Sequence, residues 1–128
     1  MNKIISFVML GSKDFKQSSK FYDSIFVPLE IKKIVTTERY VGYGHLNEPD
    51  DVKFYLTKPS NGEPATYGNG TMIAFLAKTK EAVDRFHKIA LENGAVNEGL
   101  PGVREDGNYY AYVRDLDGNK ITAKCIIN

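Results

Sequence analysis

The chain has 128 residues, with 17 Lys+Arg against 16 Asp+Glu and a formal net charge of +1. That length suits one domain, able to bury about two-thirds of the surface its unfolded form would expose. A charge this close to balance supplies no broad field for nucleic acid or an anionic membrane, which leaves a small molecule or another protein as partner. Cys125 is the only cysteine, so an internal disulfide and multi-cysteine zinc motifs are excluded, and a reducing compartment, by default the cytoplasm, is expected.

The apolar run Ile4 to Leu10 ends at Gly11-Ser12. It reads as a buried strand rather than a leader, because no small-residue cleavage site follows before Lys13 and Asp14. Asp14, with Gln17 three residues on, marks a helix start, and Ser18, Phe21, Tyr22 and Ile25 give that helix an apolar face that Pro28 closes. β-Branched and aromatic residues then predict strands near Lys32–Thr37, Arg39–His45 and Lys53–Thr57. The stretch Lys58 to Asn69 holds two prolines and two glycines and reads as a linker.

A second strand–helix pair follows. Thr71 to Ala77 is a strand, Thr79 a cap, and Val83, Phe86 and Ala90 an apolar stripe that ends at Asn93-Gly94. Strands are expected around Ala95–Glu98, Tyr109–Arg114 and Lys120–Ile126, with Asp117-Gly118 turning between the last two. Sliding the chain on itself by 65 residues superposes Val8 on Ile73, Phe21 on Phe86, Leu56 on Ile121 and Thr57 on Thr122. The expected organisation is one domain over 1–128, with repeat one at 1–60, a linker at 61–69 and repeat two at 70–128. A single unit cannot bury its own sheet face, so two must pack together. The fold class is α+β, two tandem βαβββ repeats forming a curved mixed sheet or half-barrel around a central cleft, with one helix per repeat packed outside.

Four segments carry a family resemblance: the opening strand leading to Phe21-Tyr22-Asp23, the strand Gly70 to Phe75, the helix Ala82 to His87, and the ending Asn108 to Ile121. Together and in order they resemble the vicinal oxygen chelate superfamily of glyoxalase I, extradiol dioxygenases, fosfomycin-resistance enzymes and bleomycin-binding proteins. The likeness is greatest to its small glyoxalase-like members. It implies a divalent metal held by His and Glu on the first and last strands of each repeat. Those positions fall on Phe7, Met72 and Thr122, with Tyr55 or Thr57 as the remaining one. Phe7 to Thr57 and Met72 to Thr122 both span 50 residues. Phe has no donor, a thioether is soft and Thr hydroxyls are weak neutral donors, so the metal is expected to be lost and no cofactor is assigned.

The remaining polar residues give no alternative centre. His45 and His87 lie in different elements without a carboxylate at ligand spacing, and read as surface or hydrogen-bonding histidines, His87 sharing the solvent side of its helix. Cys125 among Ala123, Ile126 and Ile127 reads as a packing residue. Arg114-Asp115 heads a turn. Phe7, Tyr55, Thr57, Met72, Tyr110, Tyr112 and Thr122, with Arg104 as a source of positive charge, are the pocket candidates; no catalytic residue is assigned. The expected activity is metal-free binding of a hydrophobic or anionic small molecule, with homodimerisation implied by the resemblance. The alternatives are a lactoylglutathione-lyase-like or dioxygenase-like enzyme using unconventional residues, and a homodimeric interaction or regulatory module.

Overall fold

A computed structural model describes residues 4–127. Among them the order is β1 (Val8–Gly11), α1 (Phe15–Ile25), a 3-10 turn (Val27–Leu29), β2 (Ile31–Thr36), β3 (Tyr40–His45), β4 (Phe54–Thr57), β5 (Met72–Leu76), α2 (Lys80–Glu92), β6 (Val96–Val103), β7 (Tyr109–Arg114) and β8 (Lys120–Cys125). The strands form two four-stranded sheets, β1-β4-β3-β2 and β5-β8-β7-β6. Each has one parallel pair, β1 with β4 and β5 with β8, and antiparallel pairs elsewhere. The sheets are mixed, share one topology and do not close into a barrel. Among the described residues no helix is long and apolar enough to cross a membrane.

Both helices start where capping chemistry places them. Asp14 Oδ1 accepts from the Gln17 N–H at 3.2 Å and Thr79 Oγ1 from the Ala82 N–H at 3.0 Å, each satisfying an orphan donor of the first turn. Gly94 follows α2 at φ 101°, a conformation glycine adopts without a Cβ clash. On α1, Ser18, Phe21, Tyr22 and Ile25 are buried as their spacing requires; on α2, so are Val83, Phe86 and Ala90. The two repeats share one core. Phe26, from the end of α1, meets Phe54 of β4 and Phe75 of β5 at ring-centroid distances of 5.5 and 5.0 Å, and Phe54 and Phe75 lie 5.4 Å apart. These edge-on rings come from both halves and pack the strand faces that look toward the helices.

Three expectations need correction. The first ladder begins only at Val8, and Ile4 is 94 % exposed, so the apolar run before Val8 is not a buried strand. β6 runs to Val103, well past Glu98, because irregularities between Asn97 and Gly99 and between Gly99 and Gly102 let pairing with β7 resume across residues that resemble loop signals. The repeat offset also changes along the chain. Leu10 pairs with Leu56 and Phe75 with Ala123, so an offset of 65 relates the opening strands but an offset of 67 the closing ones. Thr122 therefore corresponds to Tyr55, and Thr57 to Lys124.

Candidate functional site

In β7 and β8 the alternation of a strand sends Ala111, Val113, Ile121 and Ala123 into the core, where each is fully buried. Tyr110, Tyr112, Arg114, Lys120, Thr122 and Lys124 take the other face. There Tyr110 and Tyr112 stack, 5.7 Å apart and 5° from parallel. The Arg104 guanidinium lies 5.3 Å from the Tyr112 centroid, Lys120 Nζ 5.3 Å from the same ring, and Lys124 Nζ 5.4 Å from Tyr110. Cations over electron-rich ring faces are held in place without being neutralised. Arg104 is pinned further by Nη2 donating to the Leu100 carbonyl at 2.6 Å. Arg104, Glu105, Asp106, Tyr110 and Tyr112 border an open cavity of about 380 Å³.

Asp106 is the counter-charge. It accepts from the Tyr110 hydroxyl at 2.5 Å and lies 3.6 Å from Lys124 Nζ. The Tyr110 hydroxyl, followed by the Asn108 backbone N–H, lowers its carboxyl to about 2, while Tyr110 raises the Lys124 ammonium. Burial raises the Tyr112 phenol, against the opposing charge of Arg104. Lys124 is therefore charged near neutrality, and the Tyr112 phenol stays neutral.

The eight sequence candidates do not form one group. Met72, Tyr110, Tyr112 and Thr122 belong to the second sheet, and Arg104 lies just past the end of its strand β6. Tyr55 and Thr57 belong to the first, with Phe7 just ahead of β1, and Phe7 and Tyr40 meet the Tyr55 ring at 5.0 and 5.5 Å. The cavity at Tyr110 and Tyr112 includes none of the first-sheet candidates. Both threonine hydroxyls are already used, Thr57 Oγ1 donating to the Lys58 carbonyl at 2.8 Å and Thr122 Oγ1 to the Ala111 carbonyl at 2.6 Å.

The donor set expected to hold a divalent metal does not fit one. A phenyl ring, a thioether and engaged hydroxyls stand at the ligand positions, and Lys120, directly opposite Met72 in the ladder, places a cation beside them. Among the described residues no three His, Cys, Asp or Glu side chains converge as a metal site would need.

His45 Nδ1 accepts from the Asn47 N–H at 3.1 Å. His45 also borders a separate, mostly apolar cavity of about 380 Å³ between the first sheet and β5, with Tyr43, Phe54 and Phe75 in its wall. His87, expected on the solvent side of its helix, is instead 5 % exposed, with Nε2 2.9 Å from Asn97 Oδ1. Cys125 is buried and packs in the core. Arg114 and Asp115 both brace the β7–β8 turn, Arg114 Nη1 donating to the Gly118 carbonyl at 2.9 Å and Asp115 Oδ1 accepting from the Asp117 and Asn119 N–H groups, while Arg114 also pairs with Glu98 at 3.0 Å and Asp115 reaches Tyr22. Lys120 and Asp106 were not singled out in the sequence. Lys120 was legible there, two residues from Thr122 and hence on its face, whereas Asp106 reaches the site from a loop whose path no periodicity gives.

The chain matches the model of the glyoxalase/bleomycin resistance protein/dioxygenase superfamily over residues 4–122. A crystal structure of a glyoxalase/bleomycin resistance protein from Albidiferax ferrireducens T118 is 39 % identical, with a TM-score of 0.88 over 97 % of this chain and 99 % of that one. A glyoxalase/bleomycin resistance protein/dioxygenase family enzyme from Burkholderia phytofirmans PsJN (19 %, TM-score 0.72, 95 % and 98 % covered) shares the fold. So does lactoylglutathione lyase from Agrobacterium tumefaciens (19 %, TM-score 0.65, 96 % and 93 % covered). No curated protein matches the chain. With its paired β-α-β-β-β topology and a family match spanning nearly its whole length, this chain belongs to the glyoxalase/bleomycin resistance protein/dioxygenase superfamily.

Proposed function

We propose that this superfamily member is a metal-free small-molecule-binding protein whose ligand is a flat, largely apolar anion held on the second sheet. The carrying observation is the parallel Tyr110–Tyr112 pair beneath Arg104, Lys120 and Lys124. The stacked rings offer an apolar surface, and the three cations offer charge-assisted donors to a carboxylate. The ill-fitting donor set at the metal positions supports a site that works without a Lewis acid.

Homodimerisation is part of the same reading. Phe7 and Met9 at the edge of the first sheet, the former just ahead of β1, and Met72 and Leu76 on the second, are each 45 % exposed or more. Apolar side chains on open sheet faces favour cover by a second copy. The buried free thiol suits the cytoplasm.

Thermal denaturation with benzoate, benzyl alcohol and benzylamine tests the binding reading, because a ligand specific to the folded state raises Tm by mass action. Benzoate alone is expected to raise it, Arg104→Gln to reduce the rise, and a chelator to leave the ligand-free Tm unchanged. Equal response to all three compounds, or a chelator-sensitive Tm, would overturn the reading. Light scattering after size exclusion reads the dimer directly.

A further inference from the structure

We infer that this protein has a second binding site, for a phosphate group, where the chain enters α1. It shares no lining residue with the tyrosine site, so the two readings stand or fall separately.

An open cavity of about 960 Å³ lies at this end of the molecule. Its wall includes Ser12, Lys13, Lys16, Arg39, Lys58 and Glu63. Ser12 is the first observation. It is 2 % exposed, and its Oγ is a buried polar atom with no hydrogen-bond partner. Burying a hydroxyl without a partner carries a desolvation cost, and native structures seldom leave one so unless another group completes it.

The second observation is the helix start. Asp14 caps the Gln17 N–H and so satisfies the third turn position. Among the described residues the Phe15 and Lys16 N–H groups have no acceptor, and the positive end of the helix dipole favours an anion there. The entry to the helix is held firmly, because the Lys13 N–H donates to Asp117 Oδ1 at 2.7 Å and the Ser12 N–H to the Thr57 carbonyl at 2.9 Å.

Charge points the same way. Lys13, Lys16, Arg39 and Lys58 border the cavity against Asp14 and Glu63. None of the four cations forms an ion pair among the described residues. Lys58 is drawn to the helix start, its Nζ 5.6 Å from the Phe15 centroid. Two free amides, a hydroxyl and several cations outside any ion pair are the donors that a dianion with three terminal oxygens takes up, more than one carboxylate needs. The open volume leaves room for an organic remainder, so a free phosphate ion and a phosphate monoester share this chemistry.

Amide NMR of the full chain, titrated at constant ionic strength with glycerol 3-phosphate, inorganic phosphate, and glycerol as the uncharged control, tests the site. The Phe15 and Lys16 amides are expected to shift saturably with both phosphates, at about 1 mM or below, and not with glycerol or added chloride. Tighter binding of the ester assigns an organic phosphate, and tighter binding of the ion assigns free phosphate. Ser12→Ala should weaken binding roughly tenfold while leaving the ligand-free Tm unchanged or higher, since no hydrogen bond is lost. Lys16→Gln with Lys58→Gln, both on exposed side chains, should weaken it without disturbing the fold. Shifts that fail to saturate, shifts matched by chloride, or equal phosphate affinity in Ser12→Ala would overturn the proposal.

Discussion

The Tyr22 hydroxyl donates to Asp115 Oδ2 at 2.6 Å across 93 residues of sequence, with both side chains buried. It joins the helix of the first repeat to the β7–β8 turn of the second. Ser18 Oγ repeats the arrangement one turn earlier, donating to Asp117 Oδ2 at 2.9 Å. Two carboxylates at a turn tip thus accept hydrogen bonds from donors in the opposite half, so the association of the repeats is specified by polar contacts as well as by Phe26, Phe54 and Phe75.

Tyr22→Phe keeps the ring packing and removes only the donor. Asp115 would retain the Asn119 N–H, the Asn119 amide and the Asp117 N–H, at 2.8, 3.0 and 2.9 Å. A hydrogen bond to a buried charge contributes about 1.5–3 kcal/mol, which in a chain of this size lowers Tm by roughly 5–12 °C. Thermal denaturation reads it. An unchanged Tm would mean that the remaining donors hold Asp115 without help.

The same carboxylate sets a pH dependence. Burial raises the Asp115 pKa, opposed by hydrogen bonds from Tyr22, Asn119 and Asp117. The folded state therefore keeps this proton to higher pH than the unfolded chain, whose Asp titrates near 3.9. Between those two values the native state binds more protons, so this group's contribution to stability falls as pH rises and levels off above the folded pKa. Asp106 acts oppositely: its contribution is present above the unfolded value and is lost as pH falls toward about 2. Urea unfolding of the parent chain and Asp115→Asn from about pH 4 to 7 separates them. The stability of Asp115→Asn relative to the parent is expected to rise with pH. A relative stability that falls instead would show the four donors outweighing desolvation.

Glycines in β3 make a sharper test of packing. A Cβ on Gly44 would stand 2.5 Å from the Asp51 carbonyl oxygen and 2.6 Å from Ile34 Cδ1, and one on Gly42 would meet only side-chain atoms of Val52 and Tyr55, at 2.8 and 2.9 Å. A backbone oxygen in a hydrogen-bonded loop cannot swing aside as a ring or methyl can. Gly44→Ala is expected to cost about 1–3 kcal/mol and Gly42→Ala distinctly less, measured by urea unfolding. The reverse order would show that the loop at Asp51 yields more easily than the Tyr55 ring.

What the sequence revealed follows from the range of each interaction. β7 was legible residue for residue because Ala111 and Val113 alternate with Tyr110 and Tyr112, a pattern set within the strand itself. The caps at Asp14 and Thr79 were legible for the same reason. β6 was not, because Pro101 and Gly102 break a local rule that pairing with β7 overrides. The change of register between the two parallel pairs was hidden as well. Equal spacings of 50 residues suggested equivalent positions, but the two-residue change in pairing between β1–β4 and β5–β8 arises between strands, and no single-strand pattern records it.

That change in register also decides what restoring metal ligands would do. Met72→His with Thr122→Glu would set an imidazole and a carboxylate on one face of the second sheet, since Met72 faces Lys120 in the ladder and Thr122 faces Ala74. Only two donors would result, with the Lys120 ammonium opposite one of them, and Phe7 lies beside the other sheet, just ahead of β1. Thr122 is fully buried and its Oγ1 holds the Ala111 carbonyl, so a Glu there loses that bond and buries a carboxylate. The double variant is expected to melt below the parent and to show no stoichiometric heat with Ni²⁺ or Zn²⁺ in calorimetry, with Met72→His alone as the well-folded control. A tight one-to-one isotherm would show that a third donor lies within reach, and that the misfit of this face to a metal rests on two side chains rather than on the whole face.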